Sequence, residues 1–463
     1  MSSDIVRGVD SSTQSCKVIS VEADTGRVLS TASAPHPDGT QVDPRAWVDA
    51  LETASGQAAS EYAAISVAGQ QHGLVTIDDG GTPVRPALLW NDVRSAPQAH
   101  RLVADYGAKY WARSTGSVPV ASMTITKLAW LAEQEPDSLR RTAEVVLPHD
   151  WLTGHLLGSR RGLVTDRSDA SGTGYYDPSA DRYLDDLVED VTGRALGLPR
   201  VLGPSEPAGR TPAGAVVGPG AGDNAAGAFG LEVRPGEVIV SLGTSGTVFT
   251  VAETNTADEL GLVAGFADCT GRFLPLACTL NAARVLTATA QLLGVDLATL
   301  SRLALEAPPD AGGLLLLPYL DGERTPNLPD ATGTLAGMTR TNMAPAHLAR
   351  AATLGMLCGI ADALDALRAN GVRAETVVLI GGAAKSPAVR ALAPAVFGMA
   401  VDVPEEGEYV ARGAARQAAW VLSGRAKPPS WGRRAVASLP AEHPGWAAQV
   451  RAGYAAARER MHG

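Results

Sequence analysis

Long apolar runs, cysteines and aromatic residues are all scarce in this chain of 463 residues. The longest apolar stretches, such as Leu314 to Leu317, fall far short of the ~20 residues that cross a bilayer, so no membrane span is expected. The opening text MSSDIVRGVDSST carries Asp4, Arg7 and Asp10 and has no apolar run of signal-peptide length. The cysteines are Cys16, Cys269, Cys278 and Cys358, and no two have CxxC spacing. That argues against a zinc site, and they are too sparse for a disulfide framework. These absences lead to the expectation of a reduced, soluble, cytoplasmic protein. No Walker A loop, GxGxxG, GxSxG elbow or HExxH occurs, which argues against a P-loop enzyme, a dinucleotide fold, an elbow-type serine hydrolase and a zinc protease. Basic residues are outnumbered 39 to 49, for a net charge of −10. A broad basic face for nucleic acid or anionic lipid is not expected, and the acidity is read as an ordinary solubility device.

Apolar residues make up 45% and charged residues 19% of the chain, the balance of a globular protein. The length suits two large domains or three ordinary ones. IVRGV, SCKVISVE and VLST predict a hairpin over the first 35 residues, with ADTGR as a turn. Asp43-Pro44 predicts a helix start, Asp as N-cap and Pro as first helical residue, with the helix running to about Tyr62. AAISVAG predicts a buried strand ending on Gln70-Gln71-His72, and LVTIDDGGTPVRP a strand, turn and strand. Helices are expected near 95–106 and 124–134, and a loop or edge over 160–182. GAVVGPGAGDNAAGAFG reads as strand, tight loop and helix. VIVSLGTSGTVFTVAE repeats the opening strand–turn–strand logic, with Thr244 lying 231 residues after Thr13. PAHLARAATLGMLCGIADALDALRANG predicts a long helix closed by Gly371, and TVVLIGGAAKSPAVRALA a strand, glycine turn and helix. The text after about 425 is expected to end in a surface helix on the second domain. Strands alternating with helices predict α/β domains, here 1–232 and 233–463, divided at the LEVRPGE turn.

Three small-residue turns follow apolar β-runs: Asp10-Ser11-Ser12-Thr13, Gly243-Thr244-Ser245-Gly246 and Gly381-Gly382-Ala383-Ala384. Turns without bulky side chains let backbone N–H groups and hydroxyls approach a phosphate, although singly each is more often a plain turn. Together they suggest a nucleotide held between two domains. Asp10 is either an Asx-turn cap or a magnesium anchor. Asp223, opening a helix with Asn224, reads as an N-cap, as a carboxylate that accepts a sugar hydroxyl proton, or as both at once. Gln70-Gln71-His72 and Trp90-Asn91-Asp92 are polar groups at strand ends, where α/β proteins bind ligands. His149-Asp150 carries the same ambiguity, and Asp321 to Pro326 reads as a solvated loop with a local Glu–Arg pair.

GQQHG with LLWND, SDASGT, GAGDNAAGA, SLGTSG, LPYLDGERTP and LIGGAA occur in the order found in the FGGY carbohydrate kinases. The chain resembles that family over nearly its whole length, most closely the members acting on D-xylulose. The resemblance implies an actin-like α/β fold of two ribonuclease-H-like domains with an interdomain cleft. It implies transfer from MgATP to the 5-hydroxyl of D-xylulose, with Asp223 as general base and Asp10 supporting Mg2+ and the phosphoryl group. Thr13, Gly243 and Thr244 would cradle phosphates, and Gly381 and Gly382 would lie against adenosine. Gln71, His72, Asn91, Asp92 and Asn224 would surround the sugar. A homodimer is compatible with it. Three departures stand out, one of them Ala383 where a third glycine is common in the adenosine turn. The first turn reads Asp10-Ser11-Ser12-Thr13-Gln14 where the family commonly has DxGTS, and Gln71 stands where Met is frequent. The alternatives are a family kinase for another ketose or polyol such as ribulose or glycerol, an actin-like nucleotide-binding protein without sugar kinase activity, and a sugar-sensing binding protein without catalysis.

Overall fold

The expected hairpin opens the chain as β1 (Ile5–Ser11) and β2 (Ser15–Glu22), and β3 (Val28–Pro35) extends it into an antiparallel meander. The computed structural model describes residues 4–58 and 61–462. Asp43 caps α1 (Pro44–Gln57) by accepting from the Arg45 N–H, with Pro44 in its first turn. The helix ends at Gln57, short of Tyr62, because Ala58 is already extended. β4 (Ala64–Gly69) then runs parallel to β1, buried at every position. Of the expected strand–turn–strand after it, Val75–Ile77 is a strand, but the return is a single bridge from Ile77 to Pro83. Helices follow at Ala96–Tyr106 and, as α2, at Thr124–Gln134. α3 (Pro148–Leu157) comes next, and the 160–182 stretch contains the one-turn helix Arg167–Ala170. β5 (Val216–Val217) and β6 (Ala221–Gly222) both pair in parallel with β4, and α4 (Asp223–Gly230) starts at once.

Alternation along these strands builds two cores. Val9, Val18, Ile65 and Val67 face Trp47 and Leu51 of α1. Val6, Ile19 and Ala64 face the other way.

A second sheet begins with β7 (Glu237–Leu242) and β8 (Gly246–Phe249), antiparallel across the Gly243–Ser245 turn, and β9 (Phe273–Thr279) pairs with β8. The long helix is α5 (Pro345–Ala369), followed by Gly371 at φ 79°. β10 (Thr376–Ile380) runs parallel to β7, and α6 (Pro387–Phe397) leads to β11 (Ala400–Pro404), parallel to β10. Each sheet therefore starts with a strand antiparallel to its successor and parallel to a later one, the repetition suggested by the two strand–turn–strand texts.

α7 (Tyr409–Ser423) returns to the first unit. Ala411, Ala415 and Ala418 fill the second core, opposite Val6 and Ile19. Its small residues have a cause: a Cβ on Gly413 would lie 1.9 Å from the Ala226 carbonyl oxygen, and one on Gly8 the same distance from that of Ala411. β12 (Ala435–Leu439) pairs with β11, and the closing helix α8 (Gly445–His462) packs on α5 and α6, as expected of the tail. By contacts the first unit holds the chain up to Glu232 with Val251–Leu274 and Gly407–Gly432. The second holds Val233–Thr250, Pro275–Glu406 and the chain from Arg433 onward. No helix among the described residues is long and apolar enough to cross a membrane.

Candidate active site

Parallel pairing sets the site. Asp10 of β1 is in register with Ala68 of β4, and Ala68 with Ala221 of β6. The carboxyl ends of three strands thus lie side by side, which brings together Asp10, the Gln70–His72 turn and Asp223. In open α/β sheets this is the end that takes ligands.

Asp10 is buried, and Ser12 donates its hydroxyl to Oδ1. Burial pushes its carboxyl up to about 6 against the pull of the Ser12 hydrogen bond and Lys17, with Glu408 adding repulsion. Ser12 occupies its turn without a left-handed backbone, so serine fits where the family has glycine. The Thr13 hydroxyl accepts from Trp90 Nε1 at 2.7 Å. His36, which no sequence pattern singles out, braces the same turn through Nδ1 and the Ser12 carbonyl at 2.9 Å.

Asp223 is the first residue of α4 and Gly222 is the N-cap, which corrects the reading of Asp223 as the cap itself. Its Oδ1 accepts from the Asn224 backbone N–H at 2.7 Å and from Asn224 Nδ2 at 2.9 Å. Desolvation and then the negative charge of Asp10 push this carboxyl up to about 7, against the Asn224 hydrogen bonds. A partly accessible carboxylate held near neutrality beside a second one is a common arrangement for acid–base work.

Gln71 donates Nε2 to the Ser168 carbonyl at 3.1 Å. His72 has φ 69°, a left-handed conformation for a residue with a Cβ, and its Nδ1 faces the Gly172 carbonyl at 2.5 Å. Lys127 of α2, fully buried, donates to the His72 carbonyl at 3.0 Å and also to that of Ser122. Burial lowers its ammonium to about 7, with Asp92 opposing. Lys127 was missed by sequence reasoning, though a single charge inside the apolar text TITKLAWLA was a usable signal. Asp92 is committed to Arg94 at 2.8 Å and to the Thr40 hydroxyl at 2.8 Å. Burial works to raise its pKa, and those hydrogen bonds outweigh it, so the carboxyl is lowered. Asn91 Oδ1 is buried without a protein partner.

Below this end lie His149, Asp150, Asp166 and Asp169, all buried. His149 Nδ1 is 2.7 Å from Asp169 Oδ2 and 3.1 Å from Asp150 Oδ1, and Nε2 is 3.1 Å from the Pro219 carbonyl oxygen. Both ring nitrogens face acceptors, which calls for an imidazolium. Burial alone would discharge it, but Asp150 and Asp169 prevail and push it up to about 10. These three side chains have ligand-type atoms close together, but the direct His149–Asp169 hydrogen bond leaves no room for an ion between them.

In the second unit, Gly243 and Thr244 form the turn between β7 and β8, and the Gly243 carbonyl accepts from the Ala283 N–H at 2.9 Å. Ser241 is in register with Ile380, so the turns at 243–245 and 381–385 share one sheet end. Gly381 has φ 93°, and a Cβ there would lie 2.6 Å from the Leu242 backbone. Glu323 does not pair with the Arg324 side chain as expected. It is buried and accepts from Thr279, Asn281 and the Leu280 and Arg324 N–H groups, while Arg284 pairs with Asp321 at 2.6 Å.

The family model "FGGY family of carbohydrate kinases, N-terminal domain" matches residues 5–230, and the corresponding C-terminal domain matches 238–422. The chain is 48% identical to the xylulose kinase of Streptomyces rubiginosus over 437 residues, 91% of this chain and 88% of that one. It has the same identity and coverage with the xylulose kinase of Streptomyces coelicolor. The crystal structure of xylulose kinase from Bifidobacterium adolescentis, 43% identical, superposes with a TM-score of 0.91 over 98% of this chain and 99% of that one. The chain belongs to the FGGY family of carbohydrate kinases.

Proposed function

We propose that the chain transfers the γ-phosphoryl group of ATP to D-xylulose, giving D-xylulose 5-phosphate. The observation that carries this is the pairing of Asp223 with Asp10 at one sheet end, within a chain 48% identical to two xylulose kinases. Asp223, oriented by Asn224, takes the proton of the attacking hydroxyl; a carboxyl near 7 is suited to that at neutral pH. Gln71, His72, Asn91, Asp92 and Asn224 surround the sugar. Of these, Asn91 has a free acceptor to offer, and Asp92 orients its loop through Arg94. Thr13, Gly243 and Thr244 serve the phosphates, and Gly381 and Gly382 the adenosine.

The residues at Asp10 fit magnesium: a buried carboxylate, with a second carboxylate nearby raising the cost of negative charge, is a hard-oxygen site that a cation relieves. Asp10 would hold the ion through water. Bound magnesium supplies charge neutralisation at the β- and γ-phosphates. Asp223 and Asn224 orient the hydroxyl, while Ser12 and Trp90 keep the Asp10 turn in place.

Gln71 in place of Met supports a second reading, a kinase of another ketose or polyol. ATP turnover with magnesium is measured on D-xylulose, D-ribulose, L-ribulose, L-xylulose, glycerol and no sugar. Turnover specific to D-xylulose is expected; preference for another sugar moves the substrate and makes Gln71 the first residue to change. Asp223→Asn is expected to lose about 10²–10⁴-fold in kcat while folded.

A further inference from the structure

The four residues before Asp223 are braced from below by side chains with no part in the chemistry proposed above. The His149 ring meets the Pro219 carbonyl through Nε2 at 3.1 Å and is itself held by Asp169 at 2.7 Å. Gly220 has φ 86°, and a Cβ on it would stand 2.2 Å from the ring, so the turn rests on the imidazole. A Cβ on Gly69, the last residue of β4, would lie 2.8 Å from His149 Cβ, so the same side chain also underlies the strand that leads to Gln70 and Gln71. Ser168, next to Asp169, accepts from the Gly222 N–H through its hydroxyl at 3.0 Å, and its carbonyl accepts from Gln71. Asp166 caps the one-turn helix that carries both, accepting from the Ser168 and Asp169 N–H groups at 2.9 Å. Gln417 clamps Gly220 on both sides, accepting from its N–H at 3.0 Å and donating to its carbonyl at 2.8 Å.

We infer that His149 is a positioning residue for the reaction: anchored by Asp169, its ring fixes the Pro219–Gly222 turn and so the place of the Asp223 carboxylate. This rests on the reading of Asp223 as the base. His149 is fully buried. A side chain with a single donor nitrogen would leave either Asp169 or the Pro219 carbonyl unmet in the interior, and the turn would shift to find a substitute. Displacement of a catalytic group by about 1 Å is enough for a ~10²-fold loss.

The test compares His149→Gln, Ser168→Ala and Asp223→Asn, each assayed well below its own melting temperature. Sugar affinity without nucleotide, KM for ATP and kcat are measured separately. His149→Gln is expected to bind both ligands nearly as the parent does and to lose about 10²-fold in kcat. Should His149→Gln fail to fold, Ser168→Ala removes the neighbouring brace on Gly222 and is expected to lower kcat in the same selective way. A folded His149→Gln or Ser168→Ala variant with kcat within twofold of the parent overturns the inference. Asp223→Asn separates the two readings. If it keeps turnover, the base assignment is wrong; if it is inactive while His149→Gln is normal, only the positioning role is lost.

Discussion

Asp10 and Asp223 flank the same strand. Asp10 is in register with Ala68 of β4 from one side, and Ala221, two residues before Asp223, is in register with Ala68 from the other. After burial, the charge of Asp10 is the largest influence raising Asp223. A strand register therefore sets an acid–base property, because it decides how close two carboxylates stand.

The pH dependence of turnover follows. Asp223 acts as a base only when deprotonated, and its carboxyl is pushed up to about 7. kcat/KM for the sugar is expected to rise about tenfold per pH unit below that value and to level off above it. A profile flat from pH 5 to 8 would exclude a base titrating in this range.

Stability should move the opposite way. The folded state holds the Asp223 proton up to about 7, well above the ordinary carboxylate value of 3.8. Between those values the native state binds more protons than the unfolded chain, so stability falls as pH rises through the window. Above it the cost of the buried charge is fully present. Asp223→Asn is expected to melt higher than the parent at pH 8, by ~1–2 °C for each kcal/mol recovered, and to show little difference at pH 4. Calorimetry at the two pH values checks this.

α7 gives a packing prediction with a built-in control. Gly413→Ala sets a Cβ 1.9 Å from the Ala226 carbonyl oxygen, a backbone atom of α4 that cannot step aside. A loss of about 1–3 kcal/mol in denaturant unfolding is expected. Gly227→Ala in α4 meets nothing nearer than 3.7 Å. There the gain in helix propensity dominates, and the variant is expected to be unchanged or up to about 1 kcal/mol more stable.

Local chemistry was legible in the sequence. The strand–turn–strand openings, the Asp43-Pro44 helix start and the long helix over 345–369 are written in neighbouring residues, and each stands where it was expected. What the text did not disclose depends on distant partners. Glu323 reads as a surface acid beside Arg324, yet residues more than forty positions earlier supply all but one of its donors. The brace on the Asp223 turn joins His149, Asp169 and Gln417, which no local pattern connects. Asp92 had the appearance of a sugar ligand, and its pairing with Arg94 and Thr40 emerges only in three dimensions. The alanines and glycines of α7 stand in the text, but nothing in it says that the helix packs against the strand bearing Asp10.

Lys127 gives the last prediction. Its ammonium and the Thr124 hydroxyl both donate to the His72 carbonyl, at 3.0 and 3.2 Å. They hold a peptide that departs from β4 with His72 at φ 69°. A left-handed histidine persists only where its surroundings fix it. Lys127→Met keeps much of the side-chain length and removes the donor, so the His72 and Ser122 carbonyls lose a buried partner and the His72 backbone is free to relax. His72 and Gln71 are read as sugar contacts and Asp223 as the base, so the effect should fall on binding first. The expected result is a rise of about tenfold in KM for the sugar, the worth of one or two buried hydrogen bonds, with a smaller change in kcat and none in KM for ATP. Steady-state kinetics at saturating ATP measures the first two, and a sugar KM equal to that of the parent would detach Lys127 from the sugar-binding turn.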